Sequence, residues 1–512
     1  MKIAFVNDCV ERLGVEYISA VLKEGGHQVM LFSDPQLFSD AIINSSRLGN
    51  FFDYKRILLR KLKDYLPDLI AFSVDTESYQ WAINFASQIK NILSVPIVFG
   101  GIHPTSVPER VLSNPCVDIV CIGEGEYALL ELAESLKKGQ IDLSIKNLWF
   151  KKNDEILKNP LRTLIDNLDD LPIRDKELFY NNSPQFKKGY SIIASRGCPY
   201  ACSYCCHSIL RKLYSNNGKY FRFRSVKSLI KEISQHASKY KIDTVVFYDD
   251  CFGYDLNWLK EFTKEYSQKI KIKFTCTTYP NLITEEYVSL LEAASCCSIT
   301  LGIQSWDNSI CSEWFNRSVP SDSMINAIRI IKETKIQLVC DNIFDVPGQD
   351  NEIFMNSLLN YTEVKPNRLI FNKLKYYPNC EITEKAKRGS FIPKEQYDHI
   401  MEGQDQEGAC LNSISSNEKY KKDNTRMRSF LYIMDIFPKS ITKYMIKNKV
   451  YRYFPSIFNP AIFYFYRILF SFDHDTKLFK KRTINRYFYY VICILWLKLK
   501  ALYTRKPYEQ CG

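Results

Sequence analysis

The chain is expected to be an α/β protein: an N-terminal doubly wound, Rossmann-like domain, then a partial (β/α)6 barrel, then a mostly helical C-terminal region. Three observations predict this. Short apolar strands alternate with helical stretches through the first third of the 512 residues. A strand–helix unit repeats through the middle, and each of its strands ends in polar residues. The last part loses that alternation and becomes basic and aromatic. The expected boundaries are 1–140, a linker over 141–188, 189–385 and 386–512.

Ile3–Val6 reads as the first strand. Val15–Leu22 has helical spacing, and Gly25-Gly26 closes it. Strands follow at Gln28–Phe32, Leu69–Val74, Pro96–Phe99 and Ile119–Ile122, with helices over Tyr79–Ile92 and from Glu126 to about Lys138. Continuous short apolar runs suit strands buried on both faces, hence a parallel sheet. Ligands of such sheets bind beyond the carboxyl ends of the strands, at the switch point. Gly100, Gly101, Gly123 and Gly125 stand at such ends, where a missing Cβ allows close backbone approach; tight turns alone are the other reading. Leu148–Phe150 and Glu155–Leu157 flank Lys151–Asp154 as a small hairpin, and Asn167–Pro172 reads as a linker.

The middle strands are Ser191–Ser195, Thr244–Tyr248, Ile272–Thr277, Ser298–Ile303, Leu338–Phe344 and Arg368–Lys373. The helices between them are Val226–Tyr240, Leu256–Gln268, Glu285–Ala294, Ser321–Glu333 and Glu352–Tyr361. Residues that act in such arrays sit at the carboxyl ends of strands. Those ends carry Asp249-Asp250, Thr277-Thr278, Gln304-Ser305, Asp345–Gln349 and Tyr376–Pro378. Bland readings stand beside them: a helix cap for Asp249-Asp250, a plain strand end for Gln304-Ser305, a turn for Pro347-Gly348.

After the first middle strand comes Cys198-Pro-Tyr-Ala-Cys202-Ser-Tyr-Cys205-Cys206-His207, a C-x3-C-x2-C loop. Three thiolates can hold three irons of a four-iron, four-sulfur cluster and leave the fourth open to a small molecule. A structural zinc site is the alternative, with Cys206 or His207 as fourth ligand. On spacing alone both stay open. A disulfide is disfavoured, because Met1–Val6 reads as a strand and not a secretory signal, and 17 cysteines suit a reducing cytoplasm. Cys9, Cys116, Cys251, Cys276, Cys340 and Cys380 read as small buried hydrophobes.

With Tyr204 as the aromatic before its last cysteine, this loop resembles that of the radical S-adenosylmethionine (SAM) enzymes, C-x3-C-x-aromatic-C. The resemblance implies a cluster on Cys198, Cys202 and Cys205 whose open iron chelates SAM, and reductive cleavage of SAM to a 5′-deoxyadenosyl radical. It also implies SAM contacts at Asp249, Asp250, Gln304, Ser305, Pro347 and Gly348, and a backbone contact from Tyr204 to adenine. Arg222 and Arg224 are read either as contacts to SAM or a propionamide or as surface charges. Phe99–Thr105, Pro108-Glu109, Val117-Asp118 and Ile122–Glu126 resemble the cobalamin-binding domain that precedes many radical SAM domains. That likeness covers residues 1 to about 140 and implies cobalamin along Ser73, Val74, Asp75, Thr76, Gly100, Gly101, Gly123 and Glu124. Asp8–Gly14 has Val10 where a related group has a cobalt-ligating histidine, so no histidine is expected from this loop; His103 reads as turn packing.

The implied activity is cobalamin-dependent radical SAM chemistry, with C-methylation of an unactivated carbon ahead of ring formation or rearrangement. An external one-electron reductant such as flavodoxin or ferredoxin is implied as partner. A non-enzymatic cobalamin or zinc binding protein is the competing class.

The net charge of +12 would suit nucleic acid, but the excess gathers beside apolar aromatic segments. Lys477, Lys480, Lys481, Arg482 and Arg486 precede Tyr487–Leu502; Lys498, Lys500, Arg505 and Lys506 lie in or after it. That pattern favours an anionic membrane surface over a nucleic-acid groove, and hints at a lipid-like small-molecule substrate. Pro455–Phe472 is a second apolar run. Tyr487–Leu502 is shorter than the roughly 20 residues a spanning helix needs and contains two lysines. An interfacial helix and a core or lid helix both fit it. The expected location is the cytoplasm, with peripheral membrane contact open.

Overall fold

The computed structural model describes residues 1–39, 45–152, 155–349, 351–404, 426, 430, 434, 437–454 and 474–504. Pro455–Phe472, Arg505 and Lys506 lie outside the described residues.

The first sheet contains β1 (Lys2–Asn7), β2 (Gln28–Ser33), β3 (Leu69–Ser73), β4 (Ile97–Gly100), β5 (Ile119–Cys121), β6 (Leu148–Lys152) and β7 (Glu155–Lys158), in the order β2-β1-β3-β4-β5-β6-β7. The first five strands in that order are parallel. Strand order reverses at β1 and β3, the switch point of a doubly wound sheet. The hairpin β6–β7 joins antiparallel to β5 and so extends this sheet. Leu148 and Phe150 explain why: both are buried against the sheet's core. Gly101, at φ 100°, lets the end of β4 close on Val74, whose carbonyl a Cβ would strike.

The second sheet is six-stranded and parallel, in the order β15-β14-β13-β12-β11-β8. Its strands are β8 (Tyr190–Ile192), β11 (Val245–Phe247), β12 (Phe274–Thr278), β13 (Cys296–Gln304), β14 (Gln337–Phe344) and β15 (Arg368–Lys373). A small ribbon, β9 (Ser195–Arg196) with β10 (Arg222–Phe223), stands apart from it. The expected strand Ser191–Ser195 is therefore broken. Asp249 causes the break: its carboxylate accepts from the Ala194 N–H at 2.9 Å and from the Ser195 hydroxyl, which draws the chain out of the sheet. Three of the crossover helices begin on side-chain caps, Ser225 on Ser228 N–H, Asp255 on Asn257 and Trp258, and Thr284 on Tyr287, whereas Ser321–Lys332 starts after Pro320 without one. Successive helices pack on one another, as sequential winding requires.

Buried charge joins the two sheets. Arg174, from the linking segment, reaches Glu16 at 3.0 Å and Glu232 at 2.6 Å; Lys176 reaches Glu11 at 2.8 Å and Glu16 at 3.0 Å. All five of these side chains are at least nine-tenths buried.

The tail forms one helix, His474–Thr504. Its inner stripe, Tyr490, Ile494 and Leu497, is buried in the core of the first sheet's layer. Its outer stripe, Phe488, Tyr489, Ile492, Leu495, Trp496 and Leu499, is exposed, with Trp496 at 55% and Leu499 at 64%. No helix among the described residues is long and apolar enough to cross a membrane.

Candidate active site

A cavity of about 400 Å³ lies where the carboxyl ends of both sheets face each other. Ser73, Gly100, Gly101, Gly123 and Glu124 line one wall; Arg196, His207, Tyr214, Tyr220, Asp249 and Asp250 line the other. Three residues expected along the first wall do not line it. Val74 is buried beneath Gly101, Asp75 pairs with Arg12 at 3.1 Å, and Thr76 Oγ1 lies 3.2 Å from His103 Nδ1. His103 is fully buried, 4.0 Å from the Tyr79 ring centroid, and burial pushes it down to about 4, so it packs as a neutral ring.

Glu124 turns its carboxylate toward the second sheet. Arg196 Nη1 donates to it at 3.0 Å, Arg222 Nη2 at 2.8 Å and the Ile165 N–H at 2.9 Å. Burial pushes its carboxyl up, but the two guanidinium groups hold it below the ordinary range. Arg224 pairs with buried Glu232 at 2.8 Å. Both arginines are thus buried ion-pair partners between elements, and neither is a surface charge. Tyr214 closes the same corner: a Cβ on Gly123 would run into its hydroxyl. Val10 is 47% exposed and neighbouring Cys9 Sγ accepts from Arg486 at 3.0 Å.

The cysteine loop is gripped on every side. Arg211 donates to the Cys198 carbonyl, Asn316 to that of Ala201 at 2.9 Å, and the Ile382 N–H to that of Ser203 at 3.0 Å. Cys198 and Cys202 are buried and Cys205 partly so, and all three are free thiols. Burial pushes the Cys198 thiol up to about 12, with Cys205 and Cys202 adding to the effect, so the three sulfurs influence one another. A hydrogen bond from Cys206 brings Cys205 down to about 6, which makes Cys205 the thiolate and Cys206 the donor. Cys205, Cys206 and His207 also lie close enough to share a metal, with ligand atoms within 4.8 Å. Both His207 nitrogens are engaged, however: Nδ1 is 2.5 Å from the Tyr220 hydroxyl and Nε2 is 2.8 Å from Asp250. Three soft thiols on one short loop beside a buried guanidinium suit an iron–sulfur cluster better than a zinc site using that histidine.

Asp249 and Asp250 differ. Asp249 is buried and committed to Ala194 and Ser195, and its burial raises it to about 6. Asp250 is half exposed on the cavity wall. Neither caps the following helix, since Asp255 does. Tyr204 buries its ring edge-on to Phe315 at 5.0 Å, and Arg317 donates to its hydroxyl at 3.1 Å. Gln304 sits at φ 66° with Nε2 3.4 Å from Asp341 and Oε1 buried without a partner among the described residues. The Ser305 hydroxyl accepts from Asp307. Gly348, at φ 81°, completes a turn braced by Gln349, whose Oε1 accepts from the Asp345 N–H. Unlike Asp249 and Asp250, the residues Tyr204, Gln304, Ser305 and Gly348 and the three cysteines lie at the second sheet's carboxyl end without lining the cavity itself. Sequence reasoning missed Arg317 and Asp341. Asp341 left a signal, a carboxylate beside Asn342 within a strand whose other residues from Leu338 on are apolar; Arg317 left none.

The family model of the B12 binding domain matches residues 3–133, and that of the radical SAM superfamily matches residues 192–359. An uncharacterized methyltransferase of Pyrococcus horikoshii is 27% identical over 352 residues, 66% of this chain and 70% of that protein. The cytidylyl-2-hydroxyethylphosphonate methyltransferase of Streptomyces wedmorensis is 21% identical over 58% of this chain and 62% of its own length. Among solved structures, the cobalamin-dependent S-adenosylmethionine radical enzyme OxsB with aqua-cobalamin bound shares the fold. Its TM-score is 0.66 at 17% identity, over 99% of this chain and 74% of that one.

Proposed function

Because this chain belongs to the radical SAM family that carries a B12-binding domain, we propose that it is a cobalamin-dependent radical SAM methyltransferase acting on an unactivated carbon of a small molecule. One observation carries this reading: the glycine edge of the first sheet and the Asp249-Asp250 end of the second share a single cavity. When bound, the cluster with SAM supplies a 5′-deoxyadenosyl radical and cobalamin supplies a methyl group. Cys198, Cys202 and Cys205 hold the cluster. Ser73, Gly100, Gly101 and Gly123 would give backbone approach to the corrinoid, and Asp8–Gly14 offers it no histidine. Asp250 faces SAM, Asp249 positions the strand that enters the cysteine loop, and Gln304 and the Pro347-Gly348 turn form the adenosine side.

An external one-electron reductant of the flavodoxin or ferredoxin kind completes the system. The working place is a reducing cytoplasm beside a membrane, with a lipid-like substrate. The outer stripe of His474–Thr504, rich in aromatics and flanked by lysines, supports that location.

Replacing Cys198, Cys202 and Cys205 together by Ala is expected to abolish the 5′-deoxyadenosine formed from SAM and reductant; a triple variant that still makes it refutes the assignment. SAM with a deuterated methyl group separates the chemistries. Label in the product supports methylation, and an unlabelled product means ring formation or rearrangement.

A further inference from the structure

Arg317 is the most conspicuous charged group that the proposed function leaves unused. It is 4% exposed. Its guanidinium lies over the Tyr279 ring at 4.1 Å, and Nη2 donates to the Gly302 carbonyl at 2.5 Å. Nη1 donates to the Tyr204 hydroxyl and reaches Cys202 Sγ at 3.6 Å. Among the described residues no carboxylate lies within ion-pair distance of it, and Nε is buried without a partner. The other fully buried arginines among the described residues near the cleft, Arg174, Arg222 and Arg224, each have a glutamate.

A buried cation without a counter-charge is costly, so the site must supply an anion in the working protein. The Tyr204 hydroxyl is nearer but only weakly acidic, so the Cys202 sulfur, at 3.6 Å, is the nearest group able to carry that charge as a cluster ligand. A four-iron core in its oxidised state held by three thiolates carries one net negative charge, and taking one electron gives it a second. A fixed cation beside one of those thiolates favours the more negative state.

We propose that Arg317 is a positioning residue that sets the reduction potential of the cluster, holding its charge against Cys202 so that the oxidised cluster accepts one electron from the external reductant more readily. The loop that carries it is built for this placement. The Phe315 carbonyl accepts from the Ser203 N–H at 3.1 Å and Asn316 donates to Ala201, so the guanidinium and the cysteine loop move as one unit. This inference rests on the reading that Cys198, Cys202 and Cys205 hold a four-iron cluster.

The test is an anaerobic redox titration of the reconstituted full-length protein, followed by electron paramagnetic resonance and run without SAM so that lost SAM binding cannot imitate the effect. Iron and sulfide content comes first: a wild-type protein that assembles no such cluster refutes the underlying reading. With cluster assembled, Arg317→Gln or Arg317→Met is expected to make reduction at least tenfold less favourable, a shift of about 59 mV to lower potential for a one-electron couple. Arg317→Lys should keep most of the wild-type potential. An unchanged potential in either neutral variant overturns the proposal. So does loss of the cluster from both neutral variants while Arg317→Lys retains it, since that outcome assigns Arg317 to cluster assembly.

Discussion

At Cys205 and Cys206 two adjacent thiols divide their roles by one hydrogen bond. Cys206 donates and stays a thiol; Cys205 accepts and sits at about 6. Cys206→Ser keeps a donor there, so the reconstituted variant is expected to retain its iron and sulfide, while Cys205→Ser loses most of them; equal loss from both would reject this division. Asp249 makes a second prediction. Burial raises its carboxyl to about 6 in the folded chain, against about 4 in the unfolded one. The folded state holds that proton more firmly, so this contribution to stability is complete below about pH 4 and lost as pH rises through about 6. Asn at 249 keeps an acceptor and does not titrate. Denaturant unfolding of the apo protein should show the difference between variant and wild type moving toward Asp249→Asn by about 1–3 kcal/mol from pH 4 to pH 7. A difference that stays flat means that folding leaves the Asp249 carboxyl unshifted.

Among the elements, the helix His474–Thr504 carries two functions on two faces. Its inner stripe is spent on the first sheet's layer, where Tyr490 donates to the Asn182 carbonyl and Tyr54 packs edge-on to Tyr490. The outer stripe spends nothing on the fold, which makes it the place to test membrane contact without disturbing the core. Full-length protein is expected to float with vesicles containing phosphatidylglycerol and not with pure phosphatidylcholine, and to detach as salt rises. Trp496→Glu or Leu499→Glu should cut that binding several-fold with unfolding midpoints unchanged. If either substitution instead converts a dimer to a monomer and vesicles bind neither form, the face is a contact between copies.

Over the whole molecule, the ionic junction decides whether the two sheets behave as one body. Arg174 bridges Glu16 and Glu232, so Arg174→Met leaves Glu16 to Lys176 alone and Glu232 to Arg224 alone and removes the bond that ties the two carboxylates together. Breaking one side of such a pair costs about 3–5 kcal/mol. Calorimetry should show the transition of the wild type moving down in temperature and separating into two in the variant. A single transition at unchanged temperature would mean that the sheets are coupled by other contacts, such as Glu124 with Arg196 and Arg222.

The local order of this protein was legible in its sequence. Strand and helix positions follow from short apolar runs and from punctuation by Gly25, Gly100 and Gly123, all of which act within a few residues. The cysteine spacing and the glycine edges pointed to the site for the same reason. What depends on separation in the chain was not legible. The hairpin's place on the first sheet, the break at Ala194 imposed by Asp249, and the ion pairs of Arg222 and Arg224 all join residues far apart in sequence. The tail was ambiguous because periodicity shows that a helix has an apolar side without showing whether that side is covered. The sequence by itself determined the elements and singled out Cys198, Cys202 and Cys205 as candidate soft-metal ligands. Only the tertiary structure decided which charges meet, because a buried charge is defined by the distant partner that neutralises it, as Glu124 shows and as Arg317, with no carboxylate in ion-pair distance among the described residues, shows more plainly.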